Sequence, residues 1–289
     1  MKLKLLFAAL LIAHLGFTQE QVLPNQMTPD EFKNIDSYNQ SRQSSGIITP
    51  PSSSVRTMAE WEEIQSLVIA WEGFPTILSQ ITDIAQEECE VIIICYDSNT
   101  VKSELTLNGV PLHNVSYIEQ FSNSIWMRDY GGNTVYKNEV DSLYLVDWIY
   151  NRSRPADDNV PVAVADFKNI PLYQMTTAPY SLVHTGGNFM TDGFGTGFSS
   201  KLVLDENTAG GWFNPENLTE AQIDQRMNLF MGIDEYIKME VLPFDGIHHI
   251  DMHMKLLDEE TLLIGKTMMP GVKSEYSFGI LAHPLLNKL

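Results

Sequence analysis

The chain has 289 residues, enough for one large domain with a substantial core or for two small ones. Acidic side chains outnumber basic ones 37 to 18, giving a formal net charge of −19. That balance argues against nucleic acid and anionic membrane surfaces as partners, since both demand positive charge, and it suits cationic ligands.

Residues 1–18 read as a secretory signal peptide. Met1-Lys-Leu-Lys4 supplies the positive start, and Leu5 to Phe17 is an apolar run too short to span a bilayer. The expectation is export, to the periplasm, the outer surface or the medium, with no membrane association after signal removal. Residues 19–54 are rich in Gln, Asn, Ser and Pro, and are expected to form a flexible polar lead-in.

Residues 55–289 alternate strands with helices. Ser66 to Trp71 predicts a strand, and Phe74 to Glu88 an amphipathic helix with Ile77, Leu78, Ile81, Ile84 and Ala85 at helical spacing. The apolar run Val91-Ile-Ile-Ile94 predicts a buried strand reaching Tyr96. Val115–Ile118, Asn133–Tyr136 and Leu143–Tyr150 follow as strands. Lys201–Leu204 is expected to be a strand, Thr219–Phe230 a helix capped by Thr219, and Tyr236–Leu242 another strand. The class is α/β or α+β, one domain built of similar units without an exact sequence repeat. The two cysteines, Cys89 and Cys95, read as unpaired buried thiols rather than nucleophiles, a disulfide between them requiring the intervening turn to fold back.

Four segments carry chemistry. His248-His-Ile-Asp-Met-His253, read as extended, puts His249, Asp251 and His253 on one face and His248 on the other. Imidazole beside carboxylate serves proton transfer near neutral pH, and the same spacing serves metal ligation. Ser124–Gly132 sets Asp129 between the aromatic Trp126 and a Gly-Gly pair, which allows close backbone approach. His184–Gly193 has the look of a turn between two strands, and Tyr150–Pro155 contributes Arg152 and Arg154. Each also has an ordinary reading: a hairpin turn, a core tryptophan, surface charge.

Taken together, Ala59-Glu-Trp-Glu62, Trp126-Met-Arg-Asp129, Gly186-Gly-Asn-Phe189 with Asp192-Gly193, and His249-Ile-Asp251 resemble the successive signatures of the agmatine deiminase and bacterial peptidylarginine deiminase family. The resemblance spans roughly residues 55 to 270. It implies a pentein-type α/β propeller of ββαβ units around a pseudo-fivefold axis, with no cofactor and no metal. It also implies hydrolysis of a guanidine group, with Asp129 and Asp251 clamping the cation and His249 as general acid and then base. Trp126, Arg152 and Arg154 would bind substrate, the arginine pair by holding a peptide's terminal carboxylate. The nucleophile of such enzymes is a cysteine near the C-terminal end, forming a thiouronium intermediate.

The sequence given has no cysteine after Cys95, so the expectation is a propeller incomplete at its C-terminus and a chain inactive by itself. The expected substrate is the C-terminal arginine of a peptide, released as citrulline and ammonia. Agmatine, as in polyamine synthesis, is the alternative within the family. Further alternatives are a secreted, non-catalytic arginine-peptide-binding protein, and a metallohydrolase using His249, Asp251 and His253, with His248 or His184.

Overall fold

The computed structural model describes residues 22–282 except 139, 141, 214–215, 243–244, 253, 260 and 267–276, and only the backbone of 266 and 277–282. The chain is mixed α/β, as the alternating pattern implies. Helix α1 (Pro29–Ser41) opens it, followed by β1 (Val55–Thr57), β2 (Ser66–Ala70), α2 (Pro75–Ala85), β3 (Glu90–Cys95), α3 (Ser98–Leu107) and β4 (Val115–Glu119). Next come the one-turn helix α4 (Met127–Tyr130), β5 (Asn133–Lys137), β6 (Ser142–Tyr150), α5 (Pro155–Asp158), α6 (Val160–Lys168), β7 (Leu172–Met175) and β8 (Val183–His184). The last part holds β9 (Met190–Thr191), β10 (Thr196–Ser200), α7 (Leu202–Asn207), α8 (Glu220–Met231), β11 (Glu235–Met239), β12 (Met254–Leu256), β13 (Thr261–Lys266) and β14 (Ser277–Ala282).

These strands form four separate sheets among the described residues. β2, β3 and β4 are parallel, and β3, flanked on both sides, buries Val91 to Ile94 completely. A continuous apolar run is what a strand covered on both faces requires. The five-stranded sheet runs β1-β5-β6-β7, with β8 also pairing with β6. The third sheet is β11-β10-β9 and the fourth β12-β13-β14. No sheet closes on itself among the described residues. The main core lies between α8 and the five-stranded sheet, where Ile223, Met227 and Phe230 meet Val146, Trp148 and Met175.

Three elements differ from expectation. The lead-in of residues 19–54 contains α1, begun by a reciprocal capping box: Thr28 Oγ1 accepts from the Glu31 amide, and Glu31 Oε2 accepts from the Thr28 amide. That pairing satisfies two of the donors a helix start leaves unmade, and Pro29 at the first position adds a preset φ. The segment Lys201–Leu204 turns into α7 rather than continuing as a strand, because β10 ends at Ser200 and the Leu202 amide donates to Ser200 Oγ. A short apolar run fits either period, and burial of Val203 in the α8 core decides for the helix. The segment around His249 is not extended either, for reasons that belong to the site. Cys89 and Cys95 are both free and buried.

Candidate active site

Three polypeptide segments that are distant in sequence converge on one glycine. α4 and the turn after it present Asp129. A single 3₁₀ turn over Gly186–Asn188 packs against α4, and a second over Ile250–Met252 packs against the first. A Cβ built on Gly187 would lie 2.5 Å from His249 Nδ1, 2.6 Å from Asp129 Oδ1 and 3.1 Å from Asp251 Oδ2. Only a residue without a side chain lets these three groups close around it. His249 Nδ1 and Asp129 Oδ1 are 3.4 Å apart, and both residues are 3% exposed.

The His249 segment is bent into place by polar groups. Asp245 accepts hydrogen bonds from the amides of Ile247 (3.0 Å) and His248 (2.8 Å), and His248 adopts the left-handed conformation at φ 64°. Ser200 Oγ donates to the His248 carbonyl. Asn188 Oδ1 accepts from both the Ser200 amide (2.8 Å) and the Ile250 amide (3.1 Å), joining β10, the Gly-Gly turn and the His249 turn through one side chain. So His249 and Asp251 meet on a turn, where strand alternation placed them by a different route, and His253 lies outside the described residues.

The electrostatics follow from burial and crowding. Burial pushes the His249 imidazole down to about 4 against the pull of Asp129, so it is neutral at pH 7, and its buried Nε2 has no hydrogen-bond partner. Asp251 belongs to an exposed turn, yet partial desolvation of its carboxyl and the negative charge of Asp129 push it up to about 6. Two carboxylates and a neutral imidazole converging at one place are arranged to receive a cation. Arg128, next to Asp129, points away to pair with Glu60 at 2.7 Å. Glu62 makes a two-pronged pair with Arg56 at 2.7 and 2.8 Å.

The sequence pattern of the Porphyromonas-type peptidyl-arginine deiminases matches residues 56–276. The chain belongs to that family. Its curated relatives include a "Putative agmatine deiminase" from Mycoplasma mycoides, 30% identical over 135 residues, which cover 43% of this chain and 34% of the relative. A Yersinia pestis protein of the same name is 31% identical over 147 residues, 47% of this chain and 36% of that one. The match therefore spans about a third of the length of these relatives. Among solved structures, the agmatine deiminase of C. jejuni superposes with a TM-score of 0.57 at 21% identity, over 77% of this chain and 64% of that one. At that identity the likeness speaks for the fold.

The other residues of this deiminase-family chain expected to bind substrate lie beside the site, engaged by the chain's own N-terminal segment. Trp126 Nε1 donates to the Leu23 carbonyl (2.9 Å). Arg152 Nε donates to the Asn25 carbonyl (2.8 Å), and Arg154 Nη2 to the Pro24 carbonyl (2.6 Å). Arg154 also forms an ion pair with Glu31, whose carboxyl is held below the usual range as the arginine and the Thr28 amide outweigh its burial. Contrary to the surface-charge reading, both arginines are buried, Arg154 to 1% exposure. Asn25 Nδ2 donates to Asp129 Oδ2 at 2.6 Å.

A cavity of about 400 Å³ adjoins this segment, lined by Gln26, Asn151, Arg152, Glu206, Trp212 and His248. His184 is a core residue: it stacks on Trp148 at 4.5 Å, accepts the Thr185 amide at Nδ1, and meets Tyr236 Oη through Nε2 at 2.7 Å. Among the described residues, no group of three or more His, Cys, Asp and Glu is disposed to hold a metal ion. Gly187, Asn188, Asn25 and Ser200 were not singled out individually by the sequence. Gly187 and Asn188 lie within the Gly-Gly-Asn block, whereas nothing local marks Asn25 or Ser200.

Proposed function

We propose that this chain carries the guanidinium-binding and proton-handling part of a deiminase that converts the C-terminal arginine of peptides to citrulline and ammonia. The convergence of Asp129, His249 and Asp251 on Gly187 carries this reading. A guanidinium is planar and permanently cationic, and paired carboxylate oxygens match its N–H fork. Its arrival favours the ionised form of Asp251, offsetting the repulsion from Asp129.

The neutral His249 then takes the proton of an attacking thiol as sulfur adds to the guanidinium carbon. The imidazolium returns that proton to the departing amino group, which leaves as ammonia, and a thiouronium remains. The imidazole next takes a proton from water and the hydroxide adds to the carbon; the sulfur leaves as thiolate, which the imidazolium reprotonates, and loss of the hydroxyl proton to solvent gives the ureido group. Neither Cys89 nor Cys95 fits the thiol: both are buried, and burial with nearby carboxylates pushes Cys95 up to about 11. The thiol is expected in the part of the relatives' length that this match does not span.

Two features favour a peptide over agmatine, which has no carboxylate. Arg152 and Arg154 lie next to the site, and the Arg154 guanidinium already holds a carboxylate, that of Glu31. Residues 1–18, read as an export signal, accord with an extracellular or periplasmic substrate. We also take the four sheets as blades of a pentein propeller.

Calorimetry with three probes tests the reading: a tripeptide ending in arginine, its C-terminal amide, and agmatine. The free-acid peptide is expected to bind about tenfold more tightly than the other two, the worth of one charge-assisted contact. Equal or tighter binding of agmatine would move the substrate to agmatine. No heat above buffer with any of the three would reject a guanidinium site.

A further inference from the structure

We propose that residues 23–26 are an intramolecular occupant of the substrate site, held as a peptide main chain would be held, and that an arginine ligand must displace them. The inference rests on the guanidinium reading of the site. Its warrant is a run of contacts: the four consecutive carbonyls of Leu23, Pro24, Asn25 and Gln26 accept hydrogen bonds from Trp126, Arg154, Arg152 and again Arg154, at 2.9, 2.6, 2.8 and 3.4 Å. Donors aimed at main-chain carbonyls do not read side-chain identity, so the same donors fit a peptide of another sequence.

The one side chain of the run that enters the site is Asn25, 8% exposed, whose amide nitrogen donates to Asp129 Oδ2 at 2.6 Å. It offers Asp129 the kind of N–H donor that a guanidinium would offer, without the positive charge. Five residues beyond Gln26, the Glu31 carboxylate sits on Arg154, where a peptide's terminal carboxylate is expected. The strap therefore mimics the proposed substrate weakly at two points, its carbonyls and Asn25, and Glu31 in the first turn of α1 adds a third.

How the strap is fastened allows it to leave. α1 is anchored by apolar contacts, with Ile35 and Tyr38 packed against Ile149, Val183 and Phe213. Residues 23–26 are tied by hydrogen bonds, and Pro24 and Gln26 are exposed. The capping box at Thr28 marks the boundary between the two. A ligand that takes Asp129 can lift the strap and draw the Glu31 side chain off Arg154 while the apolar face of α1 stays docked. The strap then lowers apparent affinity in proportion to the fraction of molecules in which it is seated.

Hydrogen–deuterium exchange on the full chain, with and without a saturating tripeptide ending in C-terminal arginine, tests this. The peptide is expected to slow exchange at 186–188 and 249–251 and to speed it at 25–26, where Asn25 is buried in the seated strap. Two single variants are expected to move peptide affinity in opposite directions. Asn25→Ala removes the strap's hold on Asp129 and raises affinity about tenfold, whereas Asn25→Arg places a tethered guanidinium on Asp129 and lowers it about tenfold. A purely structural segment would give loss or no change with both. Should Asn25→Ala fail to fold, the wild-type exchange result decides alone. Peptide protection at 186–188 without faster exchange at 25–26 would overturn the strap while leaving the proposed function standing. No peptide binding to wild type or to Asn25→Ala would overturn both.

Discussion

Gly187→Ala is the sharpest probe of how the site is assembled. The added methyl carbon would fall 2.5 Å from His249 Nδ1 and 2.6 Å from Asp129 Oδ1, where 3.4–4 Å is ordinary contact. His249 and Asp129 must each retreat by on the order of 1 Å, and Asp251 by less, because a close-packed interior offers them no slack. The Gly187 backbone is not left-handed, so the substitution brings no φ strain and its effect is confined to those three groups. Overpacking of this kind costs about 1–3 kcal/mol. Displacing the carboxylates from a guanidinium forfeits charge-assisted bonds, so affinity for the arginine-terminated peptide is expected to fall about 10–100-fold. Calorimetry measures the affinity and urea denaturation the stability. Gly109→Ala is the control: Gly109 sits at φ +76° with nothing within 4 Å of a built Cβ. That change is expected to cost about 1 kcal/mol of stability with affinity unchanged. If Gly187→Ala binds the peptide as wild type does, the three groups do not act together on the ligand and the site reading fails.

Asn188→Ala leaves the buried amides of Ser200 and Ile250 without their acceptor, and is expected to destabilise the fold by about 2–5 kcal/mol in urea denaturation; a loss below about 1 kcal/mol would mean water replaces the amide. His249 titrates at about 4 when folded against 6.5 unfolded. Below pH 6.5 the unfolded chain takes up the proton first, so the stability contributed by the neutral ring is complete above 6.5 and is lost as pH falls through 4. The stability advantage of wild type over His249→Gln should therefore shrink by about 3 kcal/mol between pH 6.5 and pH 4, and a flat difference would contradict the depressed value. Cys95, buried and pushed up to about 11, is expected to resist iodoacetamide at pH 8 in the folded chain and to react only at the rate of unfolding. Fast alkylation of the native protein would show that its burial has been overstated.

Where hydrophobic pattern and environment agree, the fold was legible. Val91–Ile94 read as a buried strand, and Thr219 marked the start of α8 as its cap, where the structure completes a capping box with Gln222. The same box, Thr28 with Glu31, was present in the lead-in, but polar composition masked it. Composition says how much apolar surface a segment can bury by itself. α1 has little, and it is ordered by what it docks against, the residues about Ile149 and Phe213, which no local window contains. α2 shows the converse: Ile77, Ile81 and Ile84 sit at helical spacing but remain exposed, while Leu78 turns inward. Period predicted the helix; which face is buried depended on the neighbouring sheet.

At the site, residue type was legible and geometry was not. Asp129, His249 and Asp251 declared themselves because imidazole and carboxylates recur within the Trp126-Met-Arg-Asp129 and His249-Ile-Asp251 blocks. The extended conformation assumed for residues 248–253 would have joined His249 and Asp251 through strand alternation. The structure joins them instead through Gly187, Asn188 and Ser200, all from an upstream segment. Those three have no ionisable group, and their roles consist of an absent Cβ, a twofold acceptor and a hydroxyl bridge, which appear only when distant segments meet. Arg152 and Arg154 make the same point about burial. Two arginines in an acidic chain read as surface charge until Asn25 and Glu31 close over them, and those partners lie more than 120 residues away. If the strap is displaced as proposed, the conformation that holds it and the conformation that admits a ligand are competing states of one set of donors. The affinity of the proposed site for a C-terminal arginine would then be set as much by residues 23–31 as by Asp129 itself.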